Sequence, residues 1–193
     1  IALTDHDTVD GILEAVKEAA QLGFEVIPGI EISVDFEGEM HILGYFIDYR
    51  SAELNEMLSM LRDFREKRNP AIVEKLNRLG MQVTMDDVLR EVGGEVAGRV
   101  HIAKALVRKG YVESVDEAFD RLLASGRPAY AEREKLSPEE GIRAITNAGG
   151  IAVLAHPVFL GMSYRELDRV FGELKEIGLG GVEAYYTNHS KHD

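Results

Sequence analysis

The stretch FEVIPGIEISVDFEGEMHILGYFID, residues 24–48, decides the reading of this chain. It is rich in Val, Ile, Phe and Tyr, and the segment EGE at 37–39 divides it into two β-strands joined by a hairpin turn. Along GIEISVDF the even positions Ile30, Ile32, Val34 and Phe36 are apolar, while the odd positions carry Glu31, Ser33 and Asp35. Such alternation marks a strand with one face in a core. A carboxylate at Glu31, inside an otherwise apolar strand, then needs a cation or several hydrogen-bond donors. Its plainer use is an ion pair with an arginine of the helical insertion that follows residue 50.

Toward the N-terminus, IALT (residues 1–4) reads as a short buried strand. Thr8 or Asp7 can cap a helix in which Ile12, Val16, Ala19 and Leu22 recur at helical spacing before Gly23 ends it. Residues 51–136 differ in character, being charged, helical and poor in strands. Pro70 is expected to interrupt or kink the long amphipathic segment that begins this region. Thr84 starts a short helix, and Ser114 with Glu117 forms a capping box. From Ser137 the β/α rhythm resumes, with capping boxes at Ser137/Glu140 and Ser163/Glu166 and strands in IAVLAHP and GGVEAYY. Strand, helix, strand in that order implies parallel pairing in an α/β layer or barrel. The chain therefore divides into β/α segments at 1–50 and 137–193 around a helical insertion at 51–136.

The 193 residues suit one domain or one domain with an insertion, and 45% hydrophobic with 29% charged residues is ordinary for a globular protein. No apolar run approaches the roughly 20 residues needed to span a bilayer, so a cytoplasmic protein without membrane partners is expected. There are no cysteines, which excludes disulfides, thiolate metal sites and cysteine nucleophiles. Any metal must sit on imidazole and carboxylate. The net charge of −12 argues against long duplex nucleic acid, although a local group of cations still suits a small phosphorylated ligand.

Polar residues that look misplaced fall at strand ends: His6 after IALTD, His41 at the start of HILGY, and His156 at the end of IAVLAHP, besides Glu31. Parallel α/β folds gather their sites at the carboxyl ends of strands. A single strand-end histidine is more often a hydrogen-bonded structural residue than a ligand. Three of them with a carboxylate match the ligand set of Zn²⁺, Mn²⁺ or Fe²⁺, and Glu31 is the natural bridging group between two ions.

LTDHDTVDG, PGIEIS, HILGY and LAHP, in this order and spacing, resemble the PHP (polymerase and histidinol phosphatase) metallo-phosphoesterases. The helical insertion is similar to that of the branch acting on nucleoside 3′,5′-bisphosphates and short RNA. The resemblance implies a seven-stranded distorted β/α barrel holding up to three metals. It also implies that Glu31 bridges two of them, that His41 and His156 help hold one, and that His6 holds a third. Asp5 and Asp7 are then groups that orient His6. A hydroxide on or between the metals would attack phosphorus in line.

The family's opening HxH pair would precede Ile1 and its closing DxH pair would follow Asp193. The chain thus resembles an internal piece of a PHP protein, and as given it is expected to bind metal weakly or not at all and to be inactive. An exposed sheet edge would favour self-association.

Within GRVHIAKALVRKG, Arg99 and His101 open a helix and suit a phosphate clamp, as the resemblance also implies; Lys104 and Arg108 are as well read as a solvated basic face. In EAYYTNHSKHD, Glu183 and Tyr185 alternate on a strand end, an aromatic side chain there could stack on a base, and His189, more than His192, is a candidate near the site. The expected substrate of the parent protein is a nucleoside 3′,5′-bisphosphate or a short 5′-phosphorylated oligonucleotide. Histidinol phosphate is the rival substrate, and a non-catalytic PHP module packed against a polymerase or partner is the rival of another class.

Overall fold

The computed structural model describes residues 1–93 and 96–187. The chain forms two compact units, Ile1–Ser59 with Lys135–Asp193, and Met60–Glu134.

The first unit is built on a mixed five-stranded sheet in the order β1 (Ala2–Leu3), β2 (Ile27–Ser33), β3 (His41–Tyr45), β4 (Ile151–Leu154) and β5 (Gly181–Val182). The outer pairs β1/β2 and β4/β5 are parallel, and β2/β3 and β3/β4 are antiparallel. The sheet is open. The expected seven strands of a closed barrel are not formed by the described residues, which supply five.

The hairpin of residues 24–48 is present, and its pairing places Glu31 opposite Leu43 and Ser33 opposite His41. Side-chain alternation therefore puts Glu31, His41, Leu43 and Tyr45 on one face. The other face carries Ile30, Ile32 and Ile42, all fully buried, against α6 (Pro138–Asn147), whose Ile142 and Ile145 are buried as well. Close packing needs glycine at two places: a Cβ on Gly44 would lie 3.0 Å from both Ile145 and Ile30, and one on Gly141 would lie 2.7 Å from Val34.

The helix α1 (Ile12–Leu22) follows β1, and α7 (Tyr164–Ile177) precedes β5. Ser137 and Ser163 open α6 and α7 with the expected capping boxes. The expected cap of α1 by Thr8 or Asp7 is not formed. The Thr8 hydroxyl accepts the Asp10 N–H in a turn ahead of the helix, Asp7 is committed elsewhere, and the helix starts one turn later at Ile12, after Gly11.

The helix α2 (Ala52–Arg78) starts in the first unit and runs on from Met60 in the second. Pro70 does not interrupt it. Proline forfeits the bond to the Glu66 carbonyl and its ring crowds that carbonyl, a cost set against the apolar residues Ile72, Val73 and Leu76 just beyond it, which are buried in the unit's core. That core also takes Val88 of α3 (Met85–Leu89), Ile102 and Leu106 of α4 (Arg99–Arg108), and Leu122 and Leu123 of a π-type turn after α5 (Val115–Ala118). Thr84 and Asp87 make a capping box at α3. Ser114 accepts the Glu117 N–H at α5, but the Glu117 carboxylate takes the N–H of Glu113, so that box is half formed.

Candidate metal centre

Glu31 sits on β2 where the segment after β1 runs parallel beside it. The Glu31 N–H donates to the Asp5 carbonyl (3.1 Å) and the Asp7 N–H donates to the Glu31 carbonyl (2.9 Å), so His6 is held directly beside Glu31. Asp7 is fully buried at φ 53°, and its Oδ1 accepts the Ser33 N–H at 3.0 Å. Asp7 thus ties the His6 segment to the strand of Glu31. The Asp5 Oδ2 lies beside Gly11, 3.5 Å from where a Cβ would stand there.

The four expected residues meet. His41 Nδ1 is 2.8 Å and His156 Nε2 3.3 Å from the same oxygen of Glu31, and the two ring nitrogens are 3.0 Å apart. His6 Nε2 is 3.6 Å from the other Glu31 oxygen, with its ring edge-on to that of His41. His41 and His156 are well covered, whereas half of the His6 side chain is exposed. Burial alone would raise the Glu31 carboxyl; hydrogen bonds from His156 and His41 and the charges of His6 and His41 outweigh it and hold the group well below the usual carboxylate range. His156 is shifted upward, since its contact with Glu31 outweighs its burial.

The donor set fits a divalent cation. Tetrahedral coordination with bonds of about 2.0–2.1 Å spaces its ligand atoms about 3.3–3.4 Å apart. His41 Nδ1, His156 Nε2 and Glu31 Oε1 already stand at 2.8–3.3 Å, a spacing that imidazole nitrogens facing one another reach only by sharing a proton or a cation. His6, Glu31 and His41 also form a group with ligand atoms within 4.8 Å of one another.

Three further residues stand at the site, of which the sequence pointed to Glu183 and to the aromatic pair at 185–186 but not to Glu39. Glu39 reaches to 3.8 Å from His41 Nε2, and Tyr186, rather than Tyr185, packs on His156 and Phe159. Tyr185 is 95% exposed. Glu183, noted only for its place at a strand end, accepts the His156 N–H at 2.7 Å. Its alternation with Tyr185 was the one available signal. His189 and His192 lie outside the described residues.

In the helical unit, Arg99 donates to the Leu123 carbonyl and lies over the rings of Phe119 and Tyr130. His101 is buried, and its Nδ1 accepts the Gly98 N–H at 2.9 Å, capping α4. Arg68 is buried, held by Asn69, and charged beside Arg65, Arg133 and Arg99. Arg108 is tied to Asp87 and Glu91, and Lys104 is exposed.

No family model matches the chain. It is 36% identical over 184 residues to a 5′-3′ exoribonuclease of Haemophilus influenzae, covering 95% of this chain and 67% of that protein. It is 32% identical over 195 residues to a 3′,5′-nucleoside bisphosphate phosphatase of Chromobacterium violaceum, covering all of this chain and 68% of that one. Among solved structures, an amidohydrolase from Chromobacterium violaceum with bound sulfate superposes with a TM-score of 0.92 at 32% identity, over 98% of this chain and 67% of that one. A chain described as a metal-dependent phosphoesterase of Bifidobacterium adolescentis gives 0.88 at 30% identity, over 99% and 68%. The chain thus spans about two thirds of the length of these relatives. With the four motifs meeting in one centre, the chain belongs to the PHP-type metal-dependent phosphoesterases.

Proposed function

We propose that the whole protein hydrolyses a phosphate ester of a nucleoside 3′,5′-bisphosphate or of a short 5′-phosphorylated oligoribonucleotide in the cytoplasm. The observation that carries this reading is the convergence of His41 Nδ1 and His156 Nε2 on one oxygen of Glu31, in a chain related to an exoribonuclease and to a bisphosphate phosphatase. Glu31, His41 and His156 would hold one ion, with Glu31 shared and His6 serving another. Mn²⁺, Zn²⁺ and Fe²⁺ all suit this nitrogen and oxygen set. A divalent ion, when bound, supplies the Lewis acid that makes in-line attack of water on phosphorus accessible.

The chain's own residues set the conditions for that attack. Glu31 stays anionic across the working range, so it offsets cationic charge without a change of protonation. The exposed ring of His6 stands at the open side, while Phe159 and Tyr186 wall the His156 side. Phosphate binding is assigned to Arg99 and His101 in the helical unit. The charges of Arg65, Arg99 and Arg133 about the buried Arg68 favour an anion in this region. The five strands of the described residues are read as part of the seven-stranded distorted β/α barrel of the family.

The test is turnover by the whole protein with Mn²⁺ of three substrates: phosphate release from adenosine 3′,5′-bisphosphate and from histidinol phosphate, and mononucleotide release from a 5′-phosphorylated trinucleotide RNA. Turnover of the bisphosphate or of the RNA above that of histidinol phosphate is expected. Preference for histidinol phosphate would overturn the substrate reading, and no turnover of any would overturn the catalytic one.

A further inference from the structure

We propose that Glu183 is a positioning residue that aims His156 through the main chain rather than a ligand in its own right. This rests on the reading of His156 as a metal-holding residue.

Glu183 makes two hydrogen bonds that bracket the end of β4. Its N–H donates to the Leu154 carbonyl at 2.9 Å, and its Oε2 accepts the His156 N–H at 2.7 Å. Given the pairing of Leu154 with Val182, a regular parallel ladder would next send the His156 N–H to the main-chain carbonyl of residue 183. The side chain of the same residue takes that bond instead. A carboxylate on a flexible stem reaches farther than a carbonyl fixed in a strand, which leaves the main chain free to turn. It does turn: His156 stands at φ 27° and ψ 61°, and Pro157 opens a 3₁₀ turn behind it. Residues other than glycine hold such a conformation only where their surroundings fix it. Without the turn, His156 would follow the alternation of β4. With it, Nε2 reaches the Glu31 oxygen shared with His41.

The charge of Glu183 has no evident use toward a phosphorylated substrate. Its carboxylate faces the same cleft as Glu31, and both act to raise the Tyr45 phenol, after burial. Its Oε2 is taken up by the His156 N–H, so the property of the side chain that this contact uses is its acceptor oxygen. An amide keeps that oxygen; alanine does not.

The whole protein and its E183Q and E183A variants are compared by amide hydrogen exchange at His156 without metal, and by the absorption spectrum and affinity of added Co²⁺. In E183A, exchange at His156 is expected to quicken on the order of tenfold or more, as for loss of a hydrogen bond to a charged acceptor. Co²⁺ affinity is expected to fall about tenfold with an altered spectrum. In E183Q both readouts should stay within about twofold of the parent, a rescue that follows from the acceptor geometry. The proposal is overturned if E183Q behaves as E183A, because the charge is then what matters, or if E183A leaves the His156 amide unchanged. Should E183A fail to melt cooperatively, E183Q decides: protection kept supports the proposal, and protection lost ends it. No Co²⁺ spectrum in the parent protein would overturn the metal reading instead, whatever the amides do.

Discussion

His41 Nδ1 and His156 Nε2 stand 3.0 Å apart, although their residues are separated by 115 positions in the chain. The β3/β4 ladder brings them together: the Ala155 N–H donates to the His41 carbonyl, so His156 is the next residue beyond the last shared bond. Main-chain pairing therefore brings the two residues together, and the left-handed turn at His156 sets where its ring reaches.

The first prediction concerns Glu31. A ligand at 100 times its Kd stabilises a protein by about 2.7 kcal/mol, and for a chain of this size each kcal/mol moves Tm by about 2–4 °C. In the whole protein Mn²⁺ at that excess should raise Tm by about 5–10 °C. E31A should remove both the shift and metal-dependent phosphate release. Thermal melts with Mn²⁺ and with EDTA decide it, and an undiminished shift in E31A would place the metal elsewhere.

Phosphate should act on the helical unit. Burial and the charges of Arg65, Arg133 and Arg99 lower the Arg68 guanidinium to about 9, which still leaves it protonated at neutral pH. An anion relieves that repulsion. Inorganic phosphate at constant ionic strength is expected to raise Tm more than chloride does, and R99A should reduce the difference. Equal responses to the two salts would count against phosphate binding there.

A pH dependence follows from Asp87. Lys109 at 2.7 Å and the Thr84 hydroxyl and N–H hold its carboxyl well below the usual range. A depressed carboxylate contributes stability above its unfolded value of about 3.9 and loses it as pH falls through its folded value. The Tm gap between the parent and D87N should be full at pH 6 and close progressively below about pH 4. A gap that widens toward acid would contradict the assignment.

Gly29 is a packing test of the strand that carries Glu31. A Cβ there would stand 2.7 Å from Thr4 Cγ2, 2.8 Å from the Gly44 carbonyl and 2.9 Å from the Leu3 carbonyl. Two of these atoms are main chain on both flanking strands and cannot step aside alone. G29A is expected to cost about 1–3 kcal/mol or more, read as a Tm lower by about 2–12 °C. A neutral melt would show that β1 and β3 can spread.

Much of the site was legible because strands obey a period of two. The alternation of residues 28–36 put Glu31 opposite its apolar neighbours, and pairing through the hairpin put His41 on the same face. Capping boxes at Thr84, Ser137 and Ser163 depend on neighbours three residues apart and were equally readable for the last two. What failed lies where no period governs. Thr8 bonds within its own turn, so α1 starts later than its polar residues suggest. Whether Tyr185 or Tyr186 meets His156 depends on how the chain leaves β5, and the work of Glu183 depends on a neighbouring strand distant in sequence.

On the reading of His156 as a metal-holding residue, its left-handed backbone sets stability against activity at a single position. Among the described residues only Asp7, Phe46 and His156 hold positive φ without being glycine, and Asp7 and His156 both belong to the centre. Glycine or asparagine would suit that backbone better. Selection for thermal robustness alone would drift position 156 toward them and erase the imidazole. A histidine kept there in thermally selected libraries would be a mark of chemistry under selection.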